Sequence, residues 1–147
     1  MKKFLSLLAV VAMCLMMASC QTENDKACAD MAKACAEGNQ DAVAKAAAAL
    51  YSQKEELSED NLADLAIAFH FLAQKEAEGR NDATYLTDYI EKALDCYMGV
   101  YSADADNAAK IFKDKGYEKL GDQLNQMKKQ LKELQEAEQA LLEQINS

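Results

Sequence analysis

Not one of the 147 residues is proline, and only five are glycine. Sandwiches, barrels and loop-rich enzymes need frequent turns, and proline and glycine are the residues that build them. Without proline, nothing in the chain removes a helical hydrogen bond from within. What remains is rich in Ala, Leu, Glu, Lys and Gln, whose side chains lose little freedom in a helix. Apolar residues recur at spacings of three and four, and no segment alternates apolar with polar residues as a half-buried strand does. The expected fold is all-α, an antiparallel helical bundle or a short helical array that ends in a long helix. Half of the residues are hydrophobic, enough for the core of one domain.

Charge removes one class of partner. The net charge is −9, and nucleic acid, whose phosphates call for a basic face, is not expected to bind. The single histidine, His70, argues against a Ser–His triad and against a multi-histidine metal site. There is no Cys-x-x-Cys for redox or zinc chemistry. The chain is not expected to be an enzyme, and no metal or cofactor is expected.

Residues 1–20 carry an address. Lys2 and Lys3 precede an apolar run from Phe4 to Met16, and small residues close it. This is the pattern of a secretory signal peptide, too short for a comfortable membrane span. The end of the run, Met17-Ala18-Ser19-Cys20, resembles the lipobox of bacterial lipoproteins. That resemblance implies cleavage before Cys20, a diacylglycerol thioether on its sulfur and a fatty acyl group on its new amino end. Gln21 in place of Asp implies an outer-membrane destination, and Glu23 and Asp25 resemble the acidic export signal of surface lipoproteins in Bacteroidetes-type bacteria. Cleavage would leave 14 basic against 25 acidic residues, a net of −11. Anionic lipid repels such a body, so the lipid itself must tether it. The expected organisation is a signal peptide over 1–19, the lipidated Cys20 and a short tether over 20–24, a helical domain over 25–115 and a long C-terminal helix over 116–147.

Gly38, Gly79 and Gly116 fall where helical patterns stop, as glycines after a helix end do. They divide the chain into helices at about 25–37, 40–54, 58–79, 82–102, 106–115 and 117–145. Ser58 is a natural N-cap for the third, with Leu57 and Leu62 at staple positions. From Leu62 to Ala73 only Asp64 and His70 are polar, so this helix belongs at the centre. Leu65, Phe69, Leu72, Ile90 and Tyr97 are the expected core. Ser102-x-Asp104-x-Asp106 lacks the glycine and the twelfth-position acid of a calcium loop and reads as a turn and N-cap. Tyr85 with Tyr89, and Tyr97 with Tyr101, are expected to seal contacts between helices.

Leu62, Leu65, Ala66 and Phe69, followed by Ala93, Tyr97, Val100 and Ala105, resemble the two halves of a tetratricopeptide repeat. The turn Asp104-Ala105-Asp106-Asn107 has Ala where that repeat has Pro. The halves lie about 15 residues further apart than in the repeat, so each helix must be longer by roughly two turns. The resemblance implies a protein-binding groove lined by Asp60, Ala63, Ile67, His70 and Phe71.

Cys28, Cys35 and Cys96 are the remaining thiols of the body. Cys28 and Cys35 are seven apart on one helix, ~10.5 Å between Cα atoms, too far for a disulfide. Either could bridge to Cys96, with Cys35–Cys96 the candidate pair, or all three could be small buried core residues.

In the last segment Tyr117, Leu120, Leu124, Met127, Leu131, Leu134, Glu138, Leu141 and Ile145 form a heptad seam with one polar break. The seam either folds back onto the bundle, the favoured expectation given Glu138, or coils with another chain through 117–145. Both arrangements require Leu124, Leu131 and Leu141 to be buried. The functional expectation is a lipid-anchored, non-catalytic interaction or scaffold lipoprotein of a bacterial envelope, held in the outer membrane and engaging a protein partner. The alternative is a coiled-coil spacer lipoprotein.

Overall fold

A computed structural model describes residues 23–79 and 83–147. The expected signal peptide, the lipobox-like segment and Cys20 lie outside these residues, as does Asp82 at the expected start of the fourth helix. Among the described residues every regular element is helical and no strand is present. In order they are α1 (23–37), α2 (Gln40–Tyr51), a 3₁₀ turn (Lys54–Glu56), α3 (Glu59–Gly79), α4 (Ala83–Ala103), α5 (Ala105–Asp114) and α6 (Leu120–Asn146).

Local chemistry sets most of the boundaries. At the end of α1, Gly38 has φ +71°; its N–H donates to the Cys35 carbonyl at 3.1 Å, and that of Asn39 to Ala34 at 2.9 Å. These two bonds satisfy carbonyls the helix leaves open. Gly116, with φ +81°, closes α5 in the same way, with Gly116 N–H on Lys113 and Tyr117 N–H on Phe112. That closure uses residues 116 and 117 as a turn, so α6 begins at Leu120, not at Tyr117. α3 ends at Gly79, as expected. The Ser58 hydroxyl accepts from Asn61 N–H at 3.2 Å, and Asp104 accepts from the N–H groups of Asp106 and Asn107 at 3.1 Å, as their sequence contexts predict. α2 stops three residues before Lys54, where the Ser52 hydroxyl donates back to the Ala49 carbonyl at 2.6 Å.

α3 and α4 are 21 residues each, the extra length that the wide spacing of the two half-motifs demands. They pair antiparallel, Leu62 against Gly99 at one end and Ala73 with Ile90 at the other. Gly99 is small for a reason: a Cβ there would stand 2.9 Å from Leu62 Cδ2. α3 is central as expected, with Leu65, Phe69 and Leu72 buried among residues of α1, α2, α4, α5 and α6. Ile90 belongs to a second cluster with Ala73 and Leu131, and Tyr97 is half-buried beside Phe112, ring centroids 5.0 Å apart. Tyr97 and Tyr101 (4.7 Å) join α4 to α5 through that phenylalanine, as expected of the pair, whereas Tyr85 of the other pair is exposed.

Candidate functional site

Two places on the surface have the makings of a binding site. The first is a cleft of about 300 Å³ between α1, α3 and the α5–α6 link. Asp64, Ile67 and Phe71 of α3, at spacings of three and four, form one wall. Ala32, Cys35 and Ala36 of α1 form another, and Lys115 and Tyr117 close the end. The Lys115 ammonium sits 2.9 Å from Asp64 and 3.1 Å from Asp60. Burial works against the charge of Lys115, but the two carboxylates outweigh it and raise its pKa. Burial also lifts the Asp64 carboxyl above the usual carboxylate range, opposed by Lys115.

The groove residues expected from the repeat resemblance divide here. Ile67 and Phe71 line the cleft, and Asp60 reaches it through Lys115. Ala63 and His70 do not: both are buried, His70 with 4% of its surface exposed. They lie one residue round the helix from the Asp64–Phe71 stripe, about 100° away, where α3 is covered by its neighbours. Burial lowers the His70 pKa, which holds the imidazole neutral. Asp64, Lys115 and Tyr117 were absent from the expected groove. A lone carboxylate inside the apolar run from Leu62 to Ala73 calls for a cation, and that was the available signal for Asp64. Nothing in the pattern pointed to Lys115, 51 residues later.

Cys28, Cys35 and Cys96 are free, so the Cys35–Cys96 bridge is not formed, nor one to Cys28. Cys35 borders the cleft beside Asp64, while Cys96 sits near Asp95 and Lys54. The α3 face that meets α4 at Leu62 is about 200° round the helix from Asp64, so the two thiols face different sides of α3. Burial pushes Cys28 and Cys96 up to about 12 and Cys35 to about 11, with Asp64 adding to the rise at Cys28 and Cys35. None supplies a thiolate at neutral pH.

The second place is the far half of α6. Leu120, Gly121 and Leu124 are buried against the body, and Leu131 packs with Ala73 and Ile90. Beyond Leu131 the seam continues without a covering: Leu134 is 68% exposed, Leu141 60%, Leu142 53% and Ile145 74%. The helix folds back, as favoured, but only over its first half. Leu141, which either arrangement was expected to bury, lies open because α4 has run out. Gln135 is already opposite Ala83 and Thr87 at the start of α4. No charge after Lys132 is basic, and Glu133, Glu136, Glu138 and Glu143 carry all of it. Lys129 and Lys132 pair with Glu133 and Glu136 at 3.9 and 3.8 Å.

No protein family, curated protein or solved structure matches the chain. Among the described residues no helix is long and apolar enough to cross a membrane, and no group of three or more acidic, Cys or His side chains is placed to hold a metal ion.

Proposed function

We propose that this chain is a lipid-anchored, non-catalytic interaction protein of a bacterial envelope, its helical body serving to hold out the C-terminal helix. The observation that carries the reading is the row of four open side chains, Leu134, Leu141, Leu142 and Ile145, on a helix whose first half is packed into the core. Leu141, Leu142 and Ile145 adjoin one another, with Leu134 a turn beyond Glu138, and monomeric proteins seldom leave large adjoining apolar side chains in water unless something binds them. The buried, neutral His70 and the protonated thiols supply no ready base or nucleophile, which favours binding over chemistry. Attachment rests on Met17-Ala18-Ser19-Cys20 and on a mature charge of −11 that gives no electrostatic hold on anionic lipid.

The test joins both halves. Expressed in a Gram-negative host, the chain should take up labelled fatty acid at Cys20 and sediment with outer membrane. A photo-crosslinker at position 141, in the native envelope, should give a discrete heavier adduct. Unlabelled chain in the soluble fraction, with no adduct, would refute the proposal. The open seam also favours the spacer reading, in which copies coil together. Glu138 in the seam weighs against it, since it would face its own copy in a parallel pair.

A further inference from the structure

The charge on the open half of α6 selects among possible occupants. Leu134, Glu138, Leu141 and Ile145 follow one another at spacings of four, three and four, so they share one stripe, with Leu142 beside it. Glu138 stands in the middle of that stripe, and from residue 133 onward there are four glutamates and no lysine or arginine. Glu133 and Glu136 have lysines within the same helix, but Glu138 and Glu143 form no ion pair among the described residues.

A second copy leaves Glu138 unanswered. Paired in parallel, Glu138 would meet Glu138, and each remaining glutamate would lie level with itself. Paired antiparallel with Leu134 on Leu141, Lys132 would come level with Glu143, but the two Glu138 residues would still meet near the centre with no cation at their level. To reach Lys128 and Lys129, a copy would have to lie over Leu131, a seam position already occupied by Ala73 and Ile90. A membrane surface fits no better, because helices that lie in the interface carry Lys and Arg, not Glu, on the polar face.

We propose that the open half of α6 docks a basic amphipathic helix of another protein, one with an apolar seam and a Lys or Arg opposite Glu138. Leucines of the partner cover Leu134, Leu141 and Ile145. Its central cation sits on the Glu138 carboxylate, and flanking cations face Glu133, Glu136 and Glu143. This rests on the interaction reading above and adds the chemistry of the partner. Like-charge contact at the same positions excludes acidic helices.

Two synthetic helices of about three heptads test it, with identical leucine seams. One carries Lys at the flanking positions and at the seam position facing Glu138; its twin carries Glu there. Binding to the full chain in mild detergent is followed by fluorescence anisotropy. The Lys helix should bind at least about tenfold more tightly than its twin, and lose much of that advantage between about 0.05 and 0.3 M salt as screening shortens. Leu141→Asp should abolish binding with an unchanged melting temperature. Glu138→Lys, at an exposed position, should shift the preference towards the Glu helix. Equal binding of both helices, binding of neither, self-association through Leu141 that excludes the Lys helix, or Leu141-dependent uptake by uncharged vesicles would each overturn the proposal. The envelope crosslink is a separate readout. If it forms at position 141 while the two helices are not distinguished, the interaction reading stands and the partner's chemistry is wrong. If the Lys helix is selected but no adduct forms in the envelope, the interaction reading fails.

Discussion

Several single residues carry consequences out of proportion to their size. Gly121 is buried at the start of α6 with the Tyr97 ring laid across it; a Cβ there would fall on the Tyr97 hydroxyl and 2.7 Å from Cζ. Alanine normally stabilises a helix relative to glycine by about 1 kcal/mol. Here the collision with an aromatic ring in a packed core should reverse the sign. Gly121→Ala is expected to cost about 1–3 kcal/mol in urea unfolding, and Tyr97→Phe in the same chain should recover part of it. A stabilised Gly121→Ala would show that Tyr97 does not rest on this glycine. His70 makes a different prediction, about pH. Its folded pKa is lowered by burial, so below about pH 6.5 the unfolded chain binds a proton that the folded one refuses. Stability must therefore be full above the unfolded pKa and fall as the pH drops through it. The urea midpoint should decrease between about pH 7.5 and 5.5, and His70→Leu should flatten that decrease. An identical slope in the variant would mean that other groups set the acid sensitivity. Neither residue's role is legible in the pattern: nothing around Gly121 marks a ring lying across it, and the repeat resemblance puts His70 in a groove, whereas its place one step round from Phe71 buries it.

Elements were easier to read than their limits. Cap residues and glycines act within a few positions, so Ser58, Asp104, Gly38 and Gly116 could be assigned from sequence alone. The 21-residue lengths of α3 and α4 follow from the spacing of their motifs. What periodicity could not show is where a seam loses its partner, because that depends on the length of another helix. From Tyr97 back to Ala83 is about 14 residues, and the same count forward from Gly121 ends at Gln135, ~21 Å along. The seam reads on unbroken to Ile145, but α4 has stopped. The cleft between α1 and α3 was half readable for a related reason: the stripe Asp60–Ile67–Phe71 is local, whereas Lys115 reaches it only through the fold. The divided α6 gives a sharp prediction. Leu124→Asp places a charge in the main core and should cost several kcal/mol, enough to unfold much of a marginally stable domain. Leu141→Asp, on the open half, should leave the melting temperature within about 2 °C, since exposed substitutions usually stay within ±0.5 kcal/mol. Circular dichroism melts of the two variants measure this directly. Equal destabilisation would mean that the far half of α6 is also packed on the body.

At the scale of the molecule, charge and hydrophobicity are arranged end to end. The N-terminal 20 residues hold a long apolar run and two lysines, the body is acidic, and the open tip of α6 is acidic with leucines along one side. In the proposed function the two apolar regions have different tasks, and they should be separable. A lipid chain gains ~0.8 kcal/mol for each buried methylene; one chain alone holds only marginally, but two or three together hold firmly. The −11 body adds nothing on an anionic surface, and the tip is too acidic to assist. On the proposed reading, membrane attachment therefore depends on Cys20 alone. Wild-type chain should remain with membranes through washes in high salt and in alkaline carbonate, and leave only with detergent. High salt would release it if charge held it. Cys20→Ala should yield either an uncleaved precursor, heavier by the signal sequence, or a chain free in the soluble fraction. Leu141→Asp should stay on the membrane, fully acylated, while losing its crosslinked adduct. Gel mobility, fatty-acid label and fractionation distinguish all three proteins. Label and normal size in Cys20→Ala would place the anchor elsewhere. Release of Leu141→Asp from the membrane would show that the tip of α6 shares the tethering, and that the two apolar ends are not independent.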